Sequence, residues 1–567
     1  MIWSRSKNLW RILLCVSICI ATRGGVLPAA VPALTGVTPF GANPGTSIPV
    51  KFAGKLDGSA RQVWSDDLGL TFTLPDASGN ATATITSDIR PGLHLIRFIN
   101  SEGATLPVRF AVGPLPILEE KEPNDETLSP QEISKLPVWI QGKLEKAGDV
   151  DHYRLTLKKD VPLFLKADGY SLGSPVDLIL HVLDRNGAKL ATFSDGRNLD
   201  PEGFFVPPAD GPYTLQIAGF AHPPTADVNF TGSATCVYQI TATTGPVVTR
   251  IFPAAVPAQG KGSVELRGLN LNVAETRMEV TAGSLDGTGE ITSLFPKGAT
   301  APIPVLRSRH PILTPGTASA EEPAAIKVPA VIGGRLEKAG AVAAYKIAMK
   351  KGDRLIARFW SRSLGLEVDG DLSVKGPSGQ QLATNASPAD PFTEPSVAWT
   401  AAEDGEHTLV VRDLLQRSGE RSEFVVEIAP PLPSFSVELS DGKPLRVEAG
   451  KNLILKAKAT FTNGWKEPLV VRLSAIPEGV FAPDVPVPEK GGDFDITIVA
   501  ALNAPPGTTQ VKLSTWTKAT PPTFIGAYYS LRGEAKRGDS NSDFARDLWI
   551  TVTPAVPPPA APPDKKK

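Results

Sequence analysis

The feature that most constrains the fold of this chain is a duplication inside it. Residues Ile140–Thr192 align without a gap to Ile332–Thr384, with about 23 identities in 53 positions. After a small length change the match resumes, with Ala209-Asp210-Gly211-Pro212-Tyr213-Thr214-Leu215 facing Glu403-Asp404-Gly405-Glu406-His407-Thr408-Leu409. A fixed internal repeat means that one supersecondary unit is used twice, so any reading of one copy must also suit the other. Positions at which the copies differ show what that unit does not need in order to fold. The copies occupy about 117–245 and 318–430.

Within and around the copies, apolar residues alternate with polar ones at period two. Tyr153, Leu155 and Leu157 alternate with His152, Arg154, Thr156 and Lys158. Val176, Leu178, Leu180 and Val182 do the same, as do Phe424, Val426 and Ile428, and Leu548, Ile550 and Val552. Successive side chains of a strand point to opposite faces, so each pattern marks a strand with one face in a core. Asn186-Gly187, Asp210-Gly211, Ser378-Gly379 and Asp404-Gly405 punctuate the runs as turns. The 51 glycines and 54 prolines among 567 residues suit many short strands joined by tight turns. Leu128 to Lys135 is the one short helix candidate. The fold class is therefore all-β, a tandem of antiparallel β-sandwich modules. A weaker echo links Gly36-Val37-Thr38-Pro39 and the strand after it to Arg250-Ile251-Phe252-Pro253 and its successor. The organisation read from these patterns is a signal peptide at 1–24 and modules at 32–113, 117–245, 246–310, 318–430 and 433–554. A Pro-rich, solvated tail follows at 555–567.

Arg5, Lys7 and Arg11 precede the apolar run Ile12 to Ala21, which has the length of a secretory signal and is too short to span a bilayer. Cleavage is expected after about Ala21 or Gly24; an uncleaved anchor is the alternative. Export places the protein in the periplasm, at the cell surface or outside the cell, with no membrane span after cleavage. Cys15 and Cys19 then leave with the signal, and Cys236 remains as a core residue beside Tyr238 and Ile240. The net charge of −1 gives no basic excess for nucleic acid. Six histidines and three cysteines are a thin stock of catalytic and metal-binding side chains.

Four segments of the first copy carry a family likeness: Glu120-Lys121-Glu122-Pro123-Asn124-Asp125, Ile140-Gln141-Gly142, Gly148-Asp149-Val150-Asp151-His152-Tyr153 and Ala209-Asp210-Gly211-Pro212-Tyr213. Together they resemble the bacterial pre-peptidase C-terminal (PPC) domain, with Gly142, Asp149, Asp151 and Tyr153 on its "G…DxDxY" pattern. Residues 32–112 and 246–305 resemble Ig-like IPT/TIG modules, and 433–554 resembles Ig-like modules that end similar secreted proteins. The resemblance implies a β-sandwich fold, export and a non-catalytic accessory role. In some members it also implies calcium held by the acidic lead-in and the DxD segment. No peptidase domain accompanies the modules here, and collagen binding, known for some members, has no basis in this sequence.

The residues themselves offer the same chemistry. Glu120, Glu122, Asn124 and Asp125 place hard oxygen ligands within six residues, and Asp149 and Asp151 would meet them if the lead-in folds back over the sheet. Calcium takes 6–8 oxygens, and clustered carboxylates repel one another unless a cation neutralises them. The bland alternative is a solvated linker followed by a DxD turn. The second copy has Ala341 for Asp149 and Ala343 for Asp151, and the alignment sets Ala324-Ala325 against Asn124-Asp125. It is expected to bind no metal. Gly169-Tyr170-Ser171-Leu172-Gly173 has a nucleophile-elbow pattern, but its counterpart Ser361-Arg362-Ser363-Leu364-Gly365 marks a structural turn. Alternation aims His152 away from Tyr153 and so predicts a surface residue. Trp64, Trp139, Trp360, Trp399 and Trp465 read as core residues more readily than as a sugar-binding platform. The function expected from all this is binding or display at the cell envelope or exterior, without catalysis. The partner would be a protein or polysaccharide outside the cell. A structural spacer, or an accessory subunit for a separate secreted hydrolase, is the alternative.

Overall fold

Alternation decides the strands. Asp151–Leu157 and Ala343–Met349 share one burial pattern, and each places Tyr, then Leu or Ile, then Leu or Met on the inward face. The computed structural model describes residues 31–56, 62–196, 199–226, 228–272, 276–282, 290–316, 318–386, 394–419, 421–440, 444–518, 525–526, 529–530, 544–545 and 547–556. The signal read at 1–24 lies outside them, as does the tail from 557 on. Among the described residues there is no α-helix, and no helix is long and apolar enough to cross a membrane. Leu128–Lys135 is not helical; its Gln131–Glu132 pairs with the sheet instead.

The strands form paired sheets in five successive groups. The second module stacks two five-stranded sheets. One runs in the order Ile117–Glu119, Val138–Lys143, Val237–Thr243, Leu163–Asp168, Glu202–Phe205. The other runs Gln131–Glu132, Asp151–Leu157, Gly211–Ala221, Val176–Leu183, Lys189–Phe193. The fourth module repeats both orders strand for strand. Between the sheets lies a core that includes Ile140, Tyr153, Leu165, Leu180, Leu215 and Ile240, each fully buried. In the fourth module Ile332, Tyr345, Leu372, Leu409 and Val426 hold the same layer.

One detail of these sheets places the candidate site. The first strand of each sheet is short and parallel to its neighbour, and both come from the lead-in. Ile117–Glu119 pairs with Trp139–Gln141 in one sheet, and Gln131–Glu132 with Tyr153–Arg154 in the other. Residues 120–130 therefore cross from one sheet to the other over the open end of the sandwich, where Asp149 lies in the turn before the strand that Asp151 begins.

The modules pack on one another. Glu423, at the start of the strand Glu423–Ala429, is buried and reaches back to the third module. Its carboxylate lies 2.5 Å from an Arg267 guanidinium nitrogen and 3.5 Å from Arg250 Nε. Arg267 also lies over the Phe252 ring, 4.5 Å from its centroid. Removing one partner of a fully buried pair costs about 3–5 kcal/mol, but Arg250 and Arg267 are partly exposed and Arg267 keeps Glu265 at 3.1 Å. Glu423→Ala is therefore expected to destabilise the junction of the third and fourth modules by about 1–3 kcal/mol. A lower urea midpoint with an unchanged slope would register it.

Candidate metal centre

The lead-in is tied down residue by residue. Glu120 N–H donates to the Gln141 carbonyl at 2.9 Å, continuing the edge pairing. The Glu120 carboxylate accepts from Lys143 N–H at 2.7 Å, Tyr153 OH at 3.0 Å and Asn124 Nδ2 at 3.3 Å, and lies 2.7 Å from Tyr238 OH. Glu120 thus has its lone pairs engaged and anchors the loop. Asn124 is wholly buried, and its N–H donates to Glu122 Oε2 at 3.0 Å. Further along, Gln131 accepts from Lys121 N–H at 2.8 Å and donates to the Glu119 carbonyl at 2.9 Å, which closes the loop at its base.

This folding brings two acidic segments together. Glu122, Asp125, Asp149 and Asp151 each present one carboxylate oxygen, and the four oxygens lie within 4.8 Å of one another. Asp149 and Asp151 are 1% and 0% exposed. Asn124 Oδ1, Asp125 Oδ1, Asp149 Oδ1 and Asp151 Oδ1 are all buried without a hydrogen-bond partner. Buried polar atoms are normally satisfied, so four unpartnered oxygens in one loop-and-strand junction need an explanation. The other oxygens of these residues are used: Asp149 accepts from Glu145 N–H, Asp125 Oδ2 from Lys146 Nζ at 2.6 Å, and Asp151 Oδ2 lies 2.6 Å from Tyr238 OH. Each of the three aspartates therefore has one oxygen fixed by the protein and the other left over.

The electrostatics follow from this crowding. Burial, and then the neighbouring Glu120 charge, pushes the Asp151 carboxyl up to about 9. Proton counting agrees. The Tyr238 oxygen has three close oxygen neighbours, in Glu120, Asp151 and Tyr153, yet it carries one proton. A proton kept on Asp151 supplies a missing donor. Burial also raises Glu122, whereas the Lys146 hydrogen bond lowers Asp125. Lys146 lies 3.6 Å from Asp149 as well, but its side chain is 65% exposed and free to swing away.

The sequence reading placed His152 on the surface, and the structure corrects it: His152 is 3% exposed. Its side chain does point opposite to Tyr153, but the lead-in covers that face. His152 N–H donates to the Asn124 carbonyl at 3.0 Å, and its Nδ1 lies 3.1 Å from the same oxygen. Its Nε2 meets Gln216 Nε2 at 2.9 Å and Thr127 Oγ1 at 3.3 Å. Only a neutral ring with the proton on Nδ1 satisfies these contacts, and burial lowers its pKa accordingly. Tyr238 and Lys146 were likewise not read as site residues. The signal for Tyr238 lay in the repeat: Tyr238 pairs with Gly142 and Phe424 with Gly334, so the fourth module replaces this hydroxyl too. Both glycines are needed for the approach of that ring. A Cβ on Gly142 would stand 2.5 Å from Tyr238 Cζ, and one on Gly334 would stand 2.3 Å from Phe424 Cζ.

The fourth module also corrects the alignment. Gln131 pairs with Tyr153 and Ala324 with Tyr345, so Ala324–Ala325 stands at Gln131–Glu132 and not at Asn124–Asp125. Its lead-in is shorter between the two edge strands. Ala343 occupies the strand position of Asp151, buried beside Tyr345. Among the described residues, the second module has the one cluster of this kind.

Ser171 lies in a turn whose Gly169, Tyr170 and Ser171 N–H groups donate to the buried Asp200 carboxylate at 2.7–2.9 Å. In the fourth module Glu394 accepts from Ser361 and Ser363 in the same way. Trp139, Trp360 and Trp399 are buried, while Trp64 and Trp465 are partly buried against the fifth module's core.

The sequence matches no known protein-family model and no curated protein. Among solved structures, it is similar to the M60 catalytic domain with two CBM51 domains of Clostridium perfringens ZmpB (11% identity, TM-score 0.14, 70% of this chain and 54% of that one). It is also similar to the Bacteroides ovatus mixed-linkage glucan utilization locus protein SGBP-B, in complex with a mixed-linkage heptasaccharide (12%, 0.12, 68% and 71%). A third is the surface layer protein SbsC, domains 1–6 (9%, 0.14, 93% and 55%). The chain spans about half the length of the first and third of these. TM-scores of this size do not define a shared overall arrangement.

Tyr238→Phe is expected to be accommodated sterically, since Phe424 fills the same position. It deprives the Glu120 and Asp151 carboxyls of a donor, and buried groups left short of a partner cost about 1–3 kcal/mol. Chemical denaturation in chelator, compared with wild type, measures that loss.

Proposed function

We propose that the protein is an exported, non-catalytic binding or display protein of the cell exterior, whose second module is a PPC-like sandwich clamped by a calcium ion. The first and third modules are then IPT/TIG-like and the fifth Ig-like. The observation that carries this reading is the set of four buried, unpartnered oxygens on Asn124, Asp125, Asp149 and Asp151, with Glu122 beside them. Their donor set is all hard oxygen, and water or backbone would complete the 6–8 ligands that calcium takes. Magnesium keeps most of its waters and demands a tighter octahedron, so it suits this protein cage less well. Bound calcium would neutralise the carboxylates and release Lys146. It would also hold the lead-in across both sheets, where residues 120–130 would otherwise rest on hydrogen bonds and one exposed lysine.

The clamp also shapes the neighbouring surface. Thr127 and Leu128 of the lead-in wall a depression of about 540 Å³ together with Arg154, Asp184, Arg185 and Thr214. A protein or polysaccharide ligand seated there would bind in a calcium-dependent way. Ser171 in a turn that caps Asp200 supports the non-catalytic reading, and Ser171→Ala is expected to change nothing but local packing. Leu95 and Trp64 of the first module pack into the core cluster of the fifth, which favours compact display over an extended spacer.

At free calcium tenfold to a hundredfold above Kd, the ion adds about 1–3 kcal/mol to the folded state. Thermal unfolding in calcium is therefore expected to raise the transition of the second module by several degrees over chelator, with magnesium giving less. Asp149→Ala with Asp151→Ala, which copies the fourth module, should abolish that rise. Identical melting in calcium and in chelator, with no heat of binding, would end the calcium reading.

The pH dependence has a definite sign. Asp151 has a folded value near 9, above its usual carboxylate value of 3.8. The stability it lends is present below that usual value and is lost as pH rises toward 9. In chelator, the second module should therefore weaken between pH 5 and 9. Calcium binds the ionised carboxylate, so the calcium-induced rise in Tm should be larger at pH 8.5 than at pH 5.5. Melting curves at the two pH values, with and without calcium, check both statements.

A further inference from the structure

The first and last modules meet in an interface with the character of a core. Arg97, on the strand Gly92–Asn100, is 1% exposed. Its Nε lies 2.5 Å from Asp547 Oδ2 and its Nη2 3.1 Å from Asp547 Oδ1, while Nη1 donates to the Thr105 carbonyl at 2.6 Å. The Trp549 indole N–H donates to Asp547 Oδ2 at 2.8 Å, and the Trp64 and Trp549 rings meet edge to face at 6.0 Å. Ile99, Ala104 and Trp549 form one buried cluster, and Leu95 joins the core cluster of the fifth module. At the rim, Arg446 donates to the Glu102 carbonyl and lies 3.6 Å from its carboxylate.

A buried arginine paired by both ends of its fork is specific, because any surface lacking the matching carboxylate strands the charge. The two halves of this contact lie at opposite ends of the chain. The fifth module is joined to the fourth by Pro430-Pro431-Leu432-Pro433, mostly exposed, between the strands Glu423–Ala429 and Ser434–Leu439. Among the described residues, its core cluster takes in Leu95 and Trp64 of the first module and no residue of the fourth. Its seat is therefore set by the distant module and not by its neighbour in sequence.

We propose that this interface is exchangeable: the fifth module of one molecule docks on the first module of a second copy, and the reverse, to form a reciprocal dimer. The contacts within one chain and between two are the same. Their balance then depends on the linker and on protein concentration. The partner this surface fits is a second copy of the chain, joined through both ends at once.

Charge reversal in the full-length protein tests this. Arg97→Asp and Asp547→Arg each place like charges across the interface, so each alone should be an open monomer with an enlarged hydrodynamic radius. Mixed in equal amounts, they complement each other at both interfaces of an exchanged pair. Light scattering on the mixture should then report twice the mass of the chain. The two changes together in one chain should restore the compact monomer. A mixture that stays at the mass of one chain, while the double variant recovers the compact form, overturns the proposal. So do single variants as compact as wild type. Arg446→Glu and Glu102→Arg repeat the scheme at the more exposed rim, should the buried variants fail to fold.

Discussion

Everything distinctive in the second module depends on a chain segment that crosses between two sheets over buried carboxylates. Residues 120–130 leave one sheet edge and join the other, so the loop cannot avoid the sandwich end where Asp149 precedes, and Asp151 starts, a strand. Sequence-distant acids are thereby forced together, with Asp149 and Asp151 buried beneath the more exposed Glu122 and Asp125. Like charges in such a setting need protons, a lysine or a metal ion. The protein supplies a raised Asp151 and an exposed Lys146, and still leaves four oxygens without a hydrogen bond.

The fourth module shows that the sandwich does not need this arrangement. It keeps the strand order, the crossing lead-in, the buried tyrosine and the close glycine, but has Ala343 and Phe424 where the second module has Asp151 and Tyr238. The acid and the hydroxyl that faces it are absent together. That is the pattern expected of residues serving one site, because either alone would be a buried polar group without a partner. The two modules thus separate fold from site within one molecule.

Not all of the centre was legible in the sequence. The acids were, because carboxylates this dense in a lead-in, together with a DxD motif, stand out along the chain, although a solvated linker and a turn fit the same residues. His152 was not, since alternation tells which face a side chain points to and not what covers that face. Tyr238 looked like core, and it is core; its hydroxyl matters only because strand pairing sets it against Gly142 and within reach of Glu120 and Asp151. The position of Ala324–Ala325 was misread for a similar reason. A short acidic match along the chain outweighed a register that only the parallel pairing with Tyr345 reveals.

The sequence by itself determined the all-β class, the repeat and the identity of the acidic residues. Period-two alternation and internal identity are local or chain-linear signals, and they need no third dimension to be read. Tertiary structure alone decided which oxygens are left over, that burial raises the Asp151 carboxyl, and that the first module carries the last. Those outcomes depend on burial and on pairings between residues up to 450 positions apart, and no spacing along the chain encodes them.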